Sequence, residues 1–490
     1  MREFIDNRIF GVLYFSEPGS SVLVMDSGLK ESFSRFNAGK SYGTAVVPVE
    51  DVTGAITSPG VLEEILDSNR ADTVIILVST RIPLLLLKKL LRRNNLRYIA
   101  SYAVIPGFDN PRWFFPTEMN ILKKNWNIIK TGRFRSLLTF RMLQLSALAG
   151  YPQLIFPSRV IIAGRKGQVL PATGILKDFV SKKLGTKDIY CVLYTGVCSF
   201  YQKFTVSVLD KDRNIIAYAR VGHTVQVRER IDNEVRALNY LSRLSFSTLK
   251  FPAVVSSERL EGTEDIIVMQ TPSPEGYTRL SKRLTPLHVA ALTELLRETA
   301  ENVDGKVLLD DLQQSLGEIK GKIPEDDTEF VNLLEKTLET LARRLQNTEV
   351  TLGFSHGDFI PWNIYIGNSG LFVFDWEVAK HRVPLWDLYY FILYSEVLEF
   401  SRDYRMVLRL LSDSDRGYFS YIMQYQSCFE NSMFFDRDVF LAVTLFEIII
   451  FYTDHCFMAG ADYRGSTANA GFINTAMSML REVMLKLNVA

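Results

Sequence analysis

Residues 355–363 read Ser-His-Gly-Asp-Phe-Ile-Pro-Trp-Asn, and residues 371–377 read Leu-Phe-Val-Phe-Asp-Trp-Glu. Asp358 and Asn363 lie five residues apart on a predicted loop, and Asp375 ends an apolar strand twelve residues later. Transfer of a phosphoryl group from a nucleotide needs groups of this kind. One carboxylate orients the attacking hydroxyl and accepts its proton, while an amide oxygen and a second carboxylate hold Mg²⁺. The lack of a local Cys or His cluster argues against zinc.

Each of these three residues also has an ordinary structural explanation when it is taken alone. Asp358 fits a turn, Asn363 fits a cap, and Asp375 fits the turn after a strand. All three occur together, however, after a strand-rich segment and a linker at residues 271–276 that contains two prolines. This combination favours a site for phosphoryl transfer.

The two stretches resemble the paired motifs of a known family. His-Gly-Asp, four further residues and Asn, followed by Phe-Asp-Trp-Glu, is similar to the motifs of the aminoglycoside phosphotransferase and choline kinase family, which contains small-molecule kinases with a protein-kinase-like fold. The resemblance covers roughly residues 188–490. It implies ATP and Mg²⁺ as cofactors, with Asp358 as the catalytic base and Asn363 and Asp375 as the metal ligands.

The same resemblance implies two residues that support the site. His356 matches a histidine that shapes the loop, and Asp387 matches a structural aspartate that ties the following helix to the loop. The remaining histidines are scattered and are expected to be structural or surface residues: His223, His288, His381 and His455.

The nucleotide-binding half of the predicted site departs from the family pattern. Glu234 lies where the family places a helix carboxylate, and Arg220 lies where the family usually has a phosphate-binding lysine. Arginine keeps the charge but differs in shape, so Arg220 is expected either to hold the nucleotide phosphates or to indicate weakened nucleotide binding. Gly196 lies in the predicted phosphate loop, and Gln270 and Thr271 are predicted at the hinge that meets the adenine through backbone groups.

A chain of 490 residues is too long for one ordinary domain. Residues 1–187 are predicted as an α/β domain with a largely parallel sheet, because short apolar strands alternate with helical patterns. Residues 188–270 are predicted as the β-rich N-lobe, and 271–490 as the helical C-lobe, of an α+β bilobal protein-kinase-like domain. In the first domain, strands are predicted at 10–15, 21–25, 44–49, 73–78 and 98–105, and helices at 59–68 and 118–148.

Charge is distributed unevenly along the chain, although the formal net charge is +1. Residues 1–187 contain 26 Lys and Arg against 14 Asp and Glu, a net charge of +12, and residues 188–490 contain 30 against 41, a net charge of −11. Residues 81–187 alone contain 20 basic side chains against three acidic ones. We expect this segment either to be the solvated face of ordinary helices or to contact an anionic lipid or membrane surface. The balanced total does not favour nucleic acid as a partner.

The expected location is the cytoplasm, with a peripheral position on the inner membrane face left open. The four cysteines are scattered, without a CxxC pair, which argues against a disulfide scaffold. The chain starts without the apolar stretch of a signal peptide. Its longest apolar runs are shorter than the ~20 residues that cross a bilayer.

The sequence therefore predicts an ATP-dependent phosphotransferase that moves the γ-phosphoryl group to a hydroxyl of a small molecule or of a glycan-linked or lipid-linked acceptor. Residues 110–116, Asn-Pro-Arg-Trp-Phe-Phe-Pro, resemble part of the α/β extensions that precede phosphotransferase domains in some bacterial envelope or exopolysaccharide gene clusters. Two alternatives remain. One is a pseudokinase that binds and regulates, and the other is a membrane-surface scaffold that uses the basic N-terminal domain.

Overall fold

A computed structural model describes the chain in the following segments: 21–24, 42–49, 73–78, 89, 91–93, 95–105, 113–116, 159–165, 175–195, 201, 203–222, 224–259, 266–277, 279–280, 283–413, 417–429, 436–458, 460–465 and 467–489. The chain divides into two compact units. The first is Met1–Arg228 with Val255–Pro272, and the second is Glu229–Val254 with Ser273–Ala490.

The strands of the described residues are β1 Ser21–Val24, β2 Tyr42–Val49, β3 Thr73–Val78, β4 Leu96–Ile105, β5 Trp113–Pro116, β6 Arg159–Arg165, β7 Tyr190–Tyr194, β8 Phe204–Leu209, β9 Ile215–Gly222, β10 Leu249–Lys250, β11 Val254–Arg259, β12 Ile266–Gln270, β13 Arg279–Leu280, β14 Glu301–Asp304, β15 Glu349–Ser355, β16 Ile364–Ile366, β17 Leu371–Val373 and β18 Lys380–Arg382. The α-helices are α1 Ile175–Leu184, α2 Val225–Leu241, α3 Pro286–Thr299, α4 Gly305–Lys320, α5 Thr328–Leu345, α6 Trp386–Leu393, α7 Tyr404–Ser412, α8 Phe419–Ser427, α9 Arg437–Met458 and α10 Ala468–Val489.

Among the described residues of the first unit, eleven strands form one sheet in the order β1-β2-β3-β6-β4-β5-β7-β8-β9-β12-β11. β1, β2 and β3 pair in parallel. β6 lies antiparallel between β3 and β4, so β4 runs in the same direction as the first three strands. The sheet is therefore mixed rather than largely parallel. Residues 160–163 of β6 are buried. The two strands that pair with β6 are β3 and β4, and both lie more than 50 residues before it in the sequence. A local sequence pattern does not specify pairing between strands so far apart.

Four of the predicted strands are observed in this sheet, with ends that differ by at most two residues: β1, β2, β3 and β4. The predicted strand at 10–15 and the predicted helices at 59–68 and 118–148 lie outside the described residues.

The sheet continues across residue 187. β5 pairs antiparallel with β7, so that Trp113 lies opposite Tyr194, and their ring centroids are 5.1 Å apart. One apolar core joins side chains of β4, β5, β6 and α1 to side chains of β7, β8, β9 and β12. The predicted boundary at 187 thus falls inside one compact unit, and the division into three domains stays a prediction.

Helices dominate the second unit, and two small sheets position its polar loops. One sheet has the order β10-β17-β16-β13, and the other has the order β14-β15-β18. β15 ends at Ser355 and β17 ends at Val373. The loops that carry Asp358 and Asp375 therefore begin where these largely buried strands end.

Helix α9 lies in the core of the second unit. By length and composition alone it could span a membrane, but 72% of its most apolar window is buried inside the protein. Buried core helices meet the same criterion.

We expect His288 to make the stability of the second unit depend on pH. It lies in the first turn of α3, it is fully buried, and its Nδ1 accepts a hydrogen bond from the Thr285 backbone N–H at 3.1 Å. Burial lowers the pKa of His288 to about 4. The unfolded chain has an ordinary pKa of ~6.5, so it binds the extra proton between these values and stability falls as the pH falls through this window.

We expect His288→Asn, which keeps an acceptor for Thr285 but does not titrate, to weaken this pH dependence. As the pH falls from ~6.5 to ~4, the free energy of unfolding should decrease less steeply in the variant than in the wild type. The two slopes should differ by up to about 1.4 kcal/mol per pH unit. Urea unfolding of both proteins at pH 7, 6 and 5 measures the two slopes. Equal slopes would contradict the prediction.

Candidate active site

The candidate loop, residues 356–363, follows β15. Gly357 has a φ of +78°, and a Cβ at this position would lie 2.6 Å from the Val378 carbonyl oxygen and 2.7 Å from Arg382 Nη1. Both the left-handed backbone and the lack of space therefore require glycine. Pro361 starts a 3₁₀ turn, Pro361–Asn363, which brings Asn363 back towards Asp358.

Asp387 holds the backbone at the start of the candidate loop. It lies in the first turn of α6 and is 5% exposed. Its Oδ2 accepts a hydrogen bond from His356 N at 2.8 Å, and its Oδ1 accepts one from Gly357 N at 2.9 Å. One buried carboxylate therefore satisfies two neighbouring backbone donors. This arrangement is the one that the predicted structural role of Asp387 needs.

His356 connects the candidate loop to the segment that leads to Asp375. Its Nδ1 accepts a hydrogen bond from Asp358 N at 3.1 Å, so the proton lies on Nε2, which donates to the Phe374 carbonyl oxygen at 3.0 Å. Complete burial lowers the pKa of His356. The ring is therefore neutral near pH 7 and organises the backbone of both segments.

Asn363 holds the carboxylate of Asp358. Its Nδ2 donates to Asp358 Oδ2 at 2.8 Å and to the Asp358 carbonyl oxygen at 3.0 Å. Because the amide nitrogen is used in this way, Oδ1 on the other side of the amide is the atom that can coordinate a cation.

Asn363 and Asp375 supply oxygen donors of the type that suits Mg²⁺. Phe374 N donates to the Asn363 carbonyl oxygen at 3.1 Å, which brings the two segments together. Asp375 follows with a φ of +77°, a left-handed conformation that is uncommon outside glycine. Mg²⁺ is bound in proteins by one or two such groups, and phosphates and water complete its coordination. Among the residues that the structure describes, no group of three or more His, Cys, Asp and Glu side chains is placed to hold a metal ion.

Helix α2 is fastened to the segment after Asp375. Arg230 Nη1 donates to Glu377 Oε1 at 3.1 Å, and Asn233 Nδ2 donates to the carbonyl oxygens of Glu377 and Ala379 at 3.0 and 3.1 Å. Glu234 lies on the same helix and is fully buried. Sequence reasoning identified Glu234 but not Arg230 or Asn233, because both make their contacts with residues more than 140 positions away.

The remaining predicted nucleotide-binding residues lie elsewhere in the chain. Arg220 on β9 pairs with Val268 on β12, and Gln270 ends β12. Arg220 and Gln270 are buried, and Thr271 is half-buried. These three residues belong to the first unit, so the predicted joint action of Arg220 and Glu234 stays a prediction. Gly196 lies outside the described residues.

Two tyrosines that the sequence did not single out lie beside Asp358. The hydroxyl of Tyr390 on α6 is 3.4 Å from Asp358 Oδ1, and it is 2.8 Å from the hydroxyl of Tyr452 on α9. The only signal in the sequence is that Tyr390 comes three residues after Asp387, and therefore lies on the same face of its helix.

Comparison with known proteins assigns part of the chain to a class. Residues 205–417 match the family model of the phosphotransferase enzyme family, APH. This segment contains Asp358, Asn363, Asp375 and Asp387, and the match confirms the resemblance inferred from the sequence motifs. Together with the strand-rich segment followed by helices, it also confirms the predicted fold class. No curated protein matches the chain.

The chain is also similar to solved structures at low sequence identity. A candidate aminoglycoside phosphotransferase of Ralstonia eutropha is 13% identical with a TM-score of 0.45, over 64% of this chain and 98% of that chain. The gentamicin complex of APH(2'')-IIa is 15% identical with a TM-score of 0.37, over 65% and 96%. A choline/ethanolamine kinase family protein of Mesorhizobium loti is 12% identical with a TM-score of 0.37, over 60% and 87%. These values leave the function to be inferred from the site itself.

Proposed function

We propose that this protein is an ATP-dependent phosphotransferase that moves the γ-phosphoryl group to a hydroxyl of a small molecule or of a glycan-linked or lipid-linked acceptor. One observation carries the proposal: Asn363 donates a hydrogen bond to the Asp358 carboxylate. The loop that contains Asp358 and Asn363 is held by Asp387 and His356. The match of residues 205–417 to a phosphotransferase family supports the class of reaction.

Asp358 is proposed as the base. As the acceptor oxygen forms its bond to the γ-phosphorus, Asp358 accepts the hydroxyl proton, and the bond from phosphorus to the bridging oxygen of the leaving diphosphate breaks. A carboxylate that is held in place contributes by orientation, because the rotations that would misplace it are already restricted.

Asn363 and Asp375 are proposed to hold Mg²⁺ through Asn363 Oδ1 and the Asp375 carboxylate. When it is bound, Mg²⁺ neutralises charge on the phosphates that would repel the attacking oxygen. The Arg230 and Asn233 contacts to the segment after Asp375 support this assignment, because they hold in place the backbone that carries the second ligand.

The nucleotide-binding residues predicted from the sequence keep their proposed roles. Arg220 would hold the phosphates, Glu234 would support that cation, and Gly196 would lie in the phosphate loop. The adenine would meet the backbone at Gln270 and Thr271. The cytoplasmic location and the contact of residues 81–187 with an anionic lipid or membrane surface stay predictions that rest on the charge distribution.

Binding of Mg²⁺·ATP should raise the melting temperature of the full chain. A ligand at ~100 times its Kd stabilises the folded state by about 2.7 kcal/mol, which corresponds to a shift of a few degrees for a domain of this size. The test is a thermal melt with 5 mM Mg²⁺·ATP, compared with ATP in EDTA and with Mg²⁺ alone.

Two variants make this test specific. Asp375→Asn should lose most of the Mg²⁺-dependent part of the shift. Asp310→Asn, which removes an exposed carboxylate that pairs with Lys306 at 2.6 Å, should keep all of it. The absence of any shift in the wild type would contradict the proposal and favour the pseudokinase or scaffold alternatives.

A further inference from the structure

The two oxygens of the Asp358 carboxylate have different neighbours. Oδ2 accepts a hydrogen bond from Asn363 Nδ2 at 2.8 Å, and Oδ1 lies 3.4 Å from the hydroxyl of Tyr390. The Tyr390 hydroxyl is also 2.8 Å from that of Tyr452. An ionised carboxylate only accepts hydrogen bonds, so Tyr390 donates to Asp358 and its oxygen accepts from Tyr452. The three side chains form a directed chain that ends on the carboxylate.

Both tyrosines of this chain are shielded from solvent. Tyr390 is 2% exposed and Tyr452 is half-buried. Burial raises the pKa of Tyr390 well above its ordinary value and also raises that of Tyr452. Both hydroxyls therefore keep their protons at physiological pH and remain donors.

Tyr390 is held by the same helix that holds the candidate loop. α6 carries Asp387, which binds the loop backbone, and Tyr390 three residues later. The Tyr390 ring stacks on that of Trp386, with centroids 5.1 Å apart and an interplanar angle of 28°. One rigid element therefore contacts both the backbone of the loop and the carboxylate that the loop carries.

We propose that Tyr390 is a positioning residue for the Asp358 carboxylate and that Tyr452 orients Tyr390; this inference rests on the proposed function of Asp358 as the base. With Asn363 on Oδ2 and Tyr390 on one lone pair of Oδ1, the plane of the carboxylate is fixed. In the proposed reaction, the carboxylate would then meet the acceptor hydroxyl in a constant orientation. The 3.4 Å separation between the Tyr390 hydroxyl and Asp358 Oδ1 is long for a hydrogen bond, and bonds of this kind commonly shorten when substrate binds.

Steady-state formation of ADP from Mg²⁺·ATP, with water as the acceptor, tests this role in the full chain. Tyr390→Phe should lower kcat about 10-fold and leave the KM for Mg²⁺·ATP within about 2-fold, because the hydroxyl acts on orientation and not on nucleotide binding. Tyr452→Phe should have a smaller effect, and the double variant should match Tyr390→Phe alone, because both act through one chain.

Tyr389→Phe is the matched control. Tyr389 is the neighbouring residue on α6 and is equally buried, but its hydroxyl donates to the Arg437 carbonyl oxygen at 3.2 Å. It should keep the wild-type kcat. If Asp358→Ala abolishes ADP formation but Tyr390→Phe keeps the kcat of Tyr389→Phe, the positioning role is wrong and the proposed function stands. If the wild type forms no ADP and its melting temperature does not rise with Mg²⁺·ATP, the proposed function fails and the positioning role fails with it.

A second measurement does not depend on turnover. If Tyr390 donates to Asp358, the fall in melting temperature of Tyr390→Phe combined with Asp358→Ala should be smaller than the sum of the two single falls, because either change removes the same hydrogen bond. Additive falls would overturn the proposal even if kcat decreases in Tyr390→Phe.

Discussion

Asp358→Asn is expected to lower phosphoryl transfer by at least about 100-fold, and by as much as about 10⁴-fold, while the protein stays folded. The amide has nearly the same shape as the carboxylate, and its oxygen can still accept the hydrogen bond from Asn363 Nδ2. It cannot accept the proton of the acceptor hydroxyl. The loss should therefore appear in kcat, because the interaction with that proton develops in the transition state.

The measurement is ADP formation from Mg²⁺·ATP by the variant and the wild type, together with a thermal melt of each. Asp358→Asn should keep a wild-type melting temperature to within a few degrees and the same shift on addition of Mg²⁺·ATP. Asp310→Asn, the exposed control, should keep both turnover and stability. Wild-type turnover in Asp358→Asn would remove Asp358 from the mechanism.

The core of the candidate site was predictable because its contacts are local. Asp358 and Asn363 are five residues apart, and the bonds between them form within one loop. Asp387 is 31 residues from His356, and its position was identified from the family resemblance, not from the residue pattern. The hydrogen bonds to two backbone N–H groups give a physical reason for an acidic residue at this position, because one carboxylate provides two acceptor oxygens.

Contacts between distant segments were not predictable. Tyr390 and Tyr452 are separated by 62 residues, and Arg230 and Glu377 by 147. Periodicity assigns a side chain to a helix face, but it does not say which other helix or loop packs against that face. For the same reason, the sequence did not predict the position of β6. This strand lies between β3 and β4, and its antiparallel direction makes the sheet of the first unit mixed.

In the first unit, the change in charge along the chain and the extent of the sheet have different physical origins. Charge composition changes near residue 187, and this change predicts a domain boundary. The β5–β7 pairing crosses that point and joins both segments into one sheet. Charged side chains are mostly exposed, whereas the sheet is held by backbone hydrogen bonds and by the buried core. A sharp change in charge therefore need not coincide with the end of a sheet.

Asp387→Ala is expected to destabilise the second unit by about 3–5 kcal/mol and to abolish turnover. The substitution leaves the backbone N–H groups of His356 and Gly357 buried without an acceptor, and each such group costs about 1–3 kcal/mol. The left-handed conformation of Gly357 is held in part by these bonds, so the candidate loop should lose its geometry together with the stability. Asp387→Asn should have an intermediate effect, because its oxygen can accept from one N–H while its NH₂ group faces the other.

Asp403→Ala is a matched control for Asp387→Ala. The Asp403 carboxylate also accepts a hydrogen bond from a backbone N–H group, that of Met406, at 3.0 Å. Unlike Asp387, Asp403 is exposed, and it caps the N-terminus of α7. Its loss should cost about 1 kcal/mol and leave turnover unchanged. Urea unfolding of the three variants and the wild type measures the differences. If Asp387→Ala costs no more than Asp403→Ala, the two hydrogen bonds that Asp387 accepts do not hold the candidate loop. The orientation of the Asp358 carboxylate must then depend on other contacts, such as those with Asn363 and Tyr390.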